Sequence, residues 1–189
     1  MSKLECVLVA ILLVLVAVLG VLLVPRFLSG DENGAFTVTV SGTYTNTFDS
    51  GDIFYEFSES YTYEQKQLTF TDTNQLIIQS GSGDAMKVVS FSIPVTVASG
   101  TYGLTTGVDL SRLPVGSTVP GDLYTAAFYA PGGNAYIAAV NGQITFTKAG
   151  DTISGSFWFD ASTYDALSGQ VGPESVRVEG TFTDVPLKR

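Results

Sequence analysis

Five carboxylates crowd one stretch of this chain: Asp49, Asp52, Glu56, Glu59 and Glu64. Paired carboxylates can do general acid–base work, and two of them about 5 Å or 6.5–9.5 Å apart in a cleft can hydrolyse a glycosidic bond. The spacing argues against a ready-made pair. Glu56 and Glu59 differ by three positions, so on a strand they face opposite sides. Glu56 and Glu64 share a face but stand roughly 26 Å apart at strand rise. Solvated strand and loop charges are the better account of all five. The segment Asn46–Asp52 sets oxygen ligands around Gly51, which suits calcium, but its spacing is not that of an EF-hand. Tight turns use the same residues for backbone reasons.

Other chemistry is missing at the level of residue types. The chain has no histidine, which removes Ser-His-Asp and Cys-His catalysis and histidine-ligated zinc. Its one cysteine, Cys6, lies at the edge of an apolar run, so the rest of the chain has neither a thiol nucleophile nor a disulfide. No G-x-S-x-G, Walker A or G-x-G-x-x-G sequence occurs. The net charge is −9. Setting aside Lys3, Glu5 and Arg26 leaves 7 basic and 17 acidic residues, with no basic cluster. Nucleic acid is therefore not an expected partner, because binding it requires neutralised phosphates. A non-enzymatic protein with no cofactor and no resident metal is the expectation.

The aromatics are the more suggestive group. Read as one strand, Ile53, Tyr55, Phe57, Tyr61 and Tyr63 line a single face. Tyr55, Phe57, Tyr61 and Tyr63 form a candidate binding face for a protein or a glycan; the competing account is core packing and cross-strand pairing. Leu123-Tyr124 and Phe128-Tyr129 are expected near Tyr136.

These residues must be positioned by strands. From Ala35 onward the polarity alternates with period two: Phe36, Val38 and Val40 against Thr37, Thr39 and Ser41. Similar runs begin at Leu68, Leu76, Val88, Leu123, Ala135, Gln143, Ile153 and Val176. Pro94 suggests an edge strand or a bulge. Thr105–Asp122 reads as an irregular surface loop, and Ala161–Leu167 as a helical turn or a loop. Pro131–Asn134 and Ala149–Asp151 read as turns, and Asn141-Gly142 as the strongest hairpin signal, since both residues tolerate positive φ. Ten to twelve short strands without a useful amphipathic helix predict an all-β fold. An antiparallel β-sandwich is favoured, with a β-barrel as the alternative. In Ile153–Phe159 the alternation puts Phe157 and Phe159 on one face, while Gly155 leaves room for a crossing side chain or a bulge. Gly180-Thr181-Phe182 repeats the device.

The order Gly100-Thr101-Tyr102-Gly103-Leu104, Gly142–Thr147, Ile153–Ala161 and Val176–Phe182 resembles uncharacterised β-rich domains of bacterial exported proteins and lipoproteins. Their pattern is G-T-Y-x-L, G-x-I-T-I-T, I-S-G-x-F-x-F-x-A, V-x-V-x-x-G-x-F. The resemblance spans about 85 residues. It implies export and this type of fold, and it brings no catalytic residue.

Ahead of the strands, Cys6–Val24 is an uninterrupted run of nineteen uncharged, almost wholly apolar residues. As a helix it would reach roughly 28 Å, the thickness of a bilayer's hydrocarbon core. The chain thus divides into an N-terminal transmembrane anchor at 1–28, a linker at 29–34 and a β-domain at 35–189. Val18-Leu19-Gly20 is the best candidate for signal cleavage, but the run is longer than a signal core. Cys6 precedes the run, whereas a lipobox cysteine follows it. Asp31 and Glu32 favour an orientation with the N-terminus inside and the domain outside the cytoplasm, at the cell surface or in the periplasm. MSKLECVLVAILLVLVAVLG also resembles the start of a processed type IV pilin. There a Glu at this position precedes an apolar helix that packs in a filament core, which would make Glu5 an assembly contact. Two functions are therefore expected: a membrane-anchored, exported domain for binding, adhesion or envelope structure, or a pilin-like filament subunit. The partners would be the membrane, and further copies of the chain, a surface protein or a glycan.

Overall fold

The computed structural model describes residues 34–63, 67–105, 114–119, 121–133, 135–165 and 170–187. The apolar run, Glu5, Cys6, Glu64 and the 106–113 part of the long loop lie outside the described residues.

The alternation at Ala35 produces strand β1 (Ala35–Gly42), followed by β2 (Asn46–Phe48) and β3 (Asp52–Ser58). Next come β4 (Tyr61–Tyr63), β5 (Leu68–Phe70), β6 (Thr73–Ser80) and β7 (Lys87–Pro94). The chain continues through β8 (Gly100–Gly103), β9 (Thr118–Val119) and β10 (Thr125–Tyr129). Three long strands finish it: β11 (Ala135–Ala149), β12 (Thr152–Asp165) and β13 (Gln170–Pro186). The only helical pieces among the described residues are two 3-10 turns, at Gly83–Ala85 and Pro131–Gly133.

The main sheet runs β2-β1-β13-β12-β11-β10-β7-β6-β3, with β8 paired to β11, and every named pairing in it is antiparallel. A small second sheet runs β4-β5-β9, where β5 and β9 are parallel. Neighbouring strands stand about 4.8 Å apart, so β12 and β7, three places apart in the order, are separated by roughly 14 Å along the sheet. Yet the rings of Phe91 on β7 and Phe157 on β12 lie 4.9 Å apart. Likewise Lys87 on β7 stands 5.5 Å from the ring of Phe48 on β2. The sheet must therefore fold over, so that its two halves face each other in a sandwich-like arrangement. One core fills the space between them, drawing Val38 and Val40 from β1, Ile53 from β3, Leu76 and Ile78 from β6, Phe91 from β7, Ile144 from β11, Phe159 from β12 and Val178 from β13.

The sheet is not a closed barrel, because closure requires a continuous ladder between the end strands. Among the described residues, strand β2 pairs only with β1, and β3 meets the far end of the chain through a single parallel bridge, Tyr55 to Leu187.

Three local expectations are corrected. Asn141-Gly142 is not a hairpin turn; it lies inside β11, where the register against β12 shifts between Ala138 and Gly142. A Cβ on Gly142 would stand 2.7 Å from the Cβ of Phe159. The glycine thus serves close approach rather than a turn. On its N-terminal side β11 pairs with β10, and from Gln143 onward with β8. Second, Ala161–Asp165 continues β12 instead of forming a helical turn or loop. Third, Ile53–Tyr63 is not one strand, since β3 ends at Ser58 and Tyr61–Tyr63 pairs with β5 in the second sheet. Pro94 ends β7, an interior strand between β10 and β6; the last position tolerates a residue without an N–H.

The paired glycines do what the sequence suggests. Phe182 stands opposite Gly155, and Phe157 opposite Gly180. A Cβ on Gly155 would meet the Phe182 ring at 2.7 Å, and one on Gly180 the Phe157 ring at 2.8 Å. Each phenylalanine thus lies over the glycine of the neighbouring strand. The turn at Ala149–Asp151 also forms, with Gly150 at φ 61°.

Candidate functional site

Where Phe157, Phe159, Val178 and Phe182 point into the core, their neighbours must point out, because strand side chains alternate. The registers bring those outward residues into rows. One row crosses five strands: Thr37 on β1, Thr181 on β13, Ser156 on β12, Thr145 on β11 and Thr101 on β8. All five carry hydroxyls, and at strand spacing the row is roughly 19 Å long. Its last two hydroxyls share a hydrogen bond of 2.9 Å. The next row runs Thr47, Thr39, Glu179, Trp158, Gln143. A third pairs Ser41, Arg177 and Asp160.

Trp158 is the only tryptophan of the chain and is half-buried on this outer face. The Arg177 guanidinium lies over its ring, 4.1 Å from the centroid. The same guanidinium donates to both carboxylate oxygens of Asp160, at 3.2 and 3.4 Å. This exposed pair adds little stability by itself, but together with the stacking it holds the indole in one orientation. Beside the indole, on the side away from Arg177, runs a shallow groove of about 370 Å³. Thr37, Thr39, Gln143, Ser156, Glu179 and Thr181 line it with Trp158, and the backbone around Phe157 and Gly180 contributes to it. The arrangement presents many hydrogen-bonding groups of both senses next to one aromatic surface.

The residues singled out from the sequence fall elsewhere. Tyr55 is a core residue, 5% exposed, and burial pushes its phenol up to about 12. Phe57, on the same strand, is 41% exposed. Tyr61 and Tyr63 belong to β4, and the positions of their side chains lie outside the described structure. The four therefore do not form one strand face. Of the acids, Asp52 accepts a hydrogen bond from Gln79 at 3.1 Å, and Glu59 is exposed in the connection after β3. Glu56 is half-buried, and desolvation raises its carboxyl above the usual range. Among the described residues no three acids, cysteines or histidines gather in a way that could hold a metal ion. Phe128 and Tyr136 are cross-strand partners with rings 5.9 Å apart, as their proximity in the sequence reading requires. Tyr124 instead stacks on Tyr102 at 4.4 Å, and burial, with Tyr102 next in effect, pushes its phenol up to about 12.

Trp158, Gln143 and Glu179 were not picked out by residue type or motif. A signal for the first was present: if Phe157 and Phe159 face inward, the tryptophan between them must face outward. The rest could not be found without the registers, which bring together positions from β1, β11, β12 and β13.

Comparison with known proteins adds one match. A family described as a domain of unknown function (DUF6252) matches residues 58–186, about two thirds of the chain. No curated protein and no solved structure matches.

Proposed function

The chain belongs to the DUF6252 family, and from that premise we propose that it is a membrane-anchored, exported β-sandwich domain with a non-enzymatic role in binding, adhesion or envelope structure. The observation that carries this reading is the contrast within the sequence. Nineteen apolar residues, Cys6–Val24, precede a cysteine-free, acidic domain whose first strand starts at Ala35. An apolar run of that length suits a bilayer span. The polar outer face of β1, β13, β12 and β11 supports a binding role, because it displays hydrogen-bonding groups beyond those that Thr101 and Thr145, and Arg177 and Asp160, spend on each other.

A second reading is favoured by one residue, Glu5, directly before the apolar run. In it the chain is a pilin-like subunit whose apolar helices pack against each other in a filament, with Glu5 as the assembly contact. Fractionation of native envelopes separates the two. Release only by detergent, as single particles with Cys6–Val24 retained on N-terminal sequencing, is the result expected for an anchor. Recovery in mechanically sheared filaments without detergent overturns the anchor and establishes the subunit. Recovery in the soluble cytoplasmic fraction overturns both.

A further inference from the structure

The two halves of the main sheet differ on their outward sides. On β6 and β7 the outward positions mix the buried Ile77 and Val88 with the half-buried Gln75, Gln79, Ser90 and Ser92. On β1, β13, β12 and β11 the equivalent positions are hydroxyls, an amide, two carboxylates, a guanidinium and one indole. We infer that this second face binds a neutral glycan chain, laid across the strands in the groove beside Trp158. The inference deepens the proposed function and rests on it only for where such a glycan would be met; the binding itself does not depend on location.

The occupant follows from the groups present. Threonine and serine hydroxyls donate and accept, Gln143 does both through separate atoms, and Glu179 accepts. Such a set matches a ligand that also carries many hydroxyls, each donor and acceptor at once. Trp158 adds an apolar ring surface suited to the C–H face of a sugar ring, and Arg177 holds it in place.

Other occupants fit less well. Arg177 is already engaged by Asp160, and Glu179 stands directly across from Trp158, so an anionic ligand would meet uncompensated negative charge. A peptide added as a strand needs an open edge, whereas this site is the face of strands already paired on both sides. A hydrophobic partner would bury the hydroxyl row without satisfying it. Because the sheet fixes the row in advance, binding would order little of the protein, and the cost of association falls accordingly. The groove is open and the hydroxyl row is roughly 19 Å long at strand spacing, which suits an internal stretch of chain better than a single terminal sugar.

The test uses the full-length protein in detergent micelles, run in native gels cast with β-1,4-xylan, β-1,3-glucan, α-1,4-glucan, anionic polygalacturonate or no polymer. The expected result is retardation by at least one of the three neutral polymers and none by polygalacturonate. Trp158→Ala should weaken the retardation by about tenfold or more, as truncating an aromatic anchor does. Thr181→Val keeps the side-chain shape but removes one hydroxyl from the row, and should weaken it by about threefold. Val115→Ser, at an exposed position in the loop before β9, should leave it unchanged. Equal migration in all five gels overturns the inference, as does retardation that Trp158→Ala and Thr181→Val leave intact, or retardation by polygalacturonate alone. Thermal melting of Thr181→Val at the wild-type temperature excludes misfolding as the cause of any loss. An exported domain that no neutral polymer retards would sink the glycan site and leave the proposed function standing; a retarded protein found inside the cytoplasm would do the reverse.

Discussion

At the scale of single residues, two glycines set the spacing of the longest hairpin. Gly155 has no room for a side chain: a Cβ there would stand 2.1 Å from the Thr145 carbonyl oxygen and 2.7 Å from the Phe182 ring. The carbonyl belongs to a paired strand and cannot swing away. Gly155→Ala should therefore cost about 2–3 kcal/mol of stability, read as a lower urea midpoint with an unchanged slope. Two tyrosines make a pH prediction. Tyr55 and Tyr124 have phenols raised from 10.0 to about 12, in both cases chiefly by burial. Their neutral forms are favoured in the fold, so the contribution is intact below the unfolded value near 10. Above it the unfolded chain binds fewer protons than the native one, and stability falls as pH rises toward 12. Melting temperatures measured from pH 9 to 12 should drop across that window, and Tyr55→Phe should flatten the drop. Gly155, Gly180 and their phenylalanines were legible in the sequence because the period-two pattern alone places them. Trp158 was half legible: its outward direction follows from Phe157 and Phe159, while its partners Arg177 and Glu179 depend on a pairing that no local pattern encodes.

At the scale of elements, β11 is the strand that the sequence misreports. Asn-Gly is a strong turn signal because both residues accept positive φ. Gly142 is used for a different property, its lack of a side chain, as the strand passes close to Phe159 and Leu104. Local chemistry cannot distinguish the two uses, and only the long-range packing decides. Gly142→Val should push β11 away from β12, with a loss of about 2 kcal/mol and faster amide exchange around Ile144. A true turn would tolerate the change at similar cost without altering exchange in the neighbouring strand. Ala161–Asp165 misled for a related reason: small and polar residues read as a loop, yet Ala161 pairs with Val176 and Ser162 with Ser175. The supposed Tyr55–Tyr63 face failed because Glu59 and Ser60 interrupt the strand. The backbone N–H of Ser60 instead donates to the Asp72 side chain at 2.7 Å.

At the scale of the whole molecule, the folding unit is larger than the family match. Residues 58–186 leave out β1, β2 and nearly all of β3. Yet β1 pairs with β13 over eight positions, and Val38, Val40 and Ile53 are fully buried. Removing them would expose an apolar side of β13 and open the core. A fragment beginning at Ser58 should therefore fail to unfold cooperatively in urea, whereas one beginning at Gly34 should show a single transition. The all-β class and antiparallel pairing were legible from alternation and turn residues. The folding-over of the sheet was not, since it rests on contacts such as Phe91 with Phe157, which join distant parts of the chain. The central claim is that this domain stands outside the cytoplasm on an N-terminal anchor. It is tested most directly by labelling a cysteine at the exposed Thr147 position, in a Cys6→Ser background, with a membrane-impermeant maleimide. With the outer layers permeabilised and the cytoplasmic membrane intact, the account predicts full labelling; labelling that appears only after the cytoplasmic membrane is broken would contradict it.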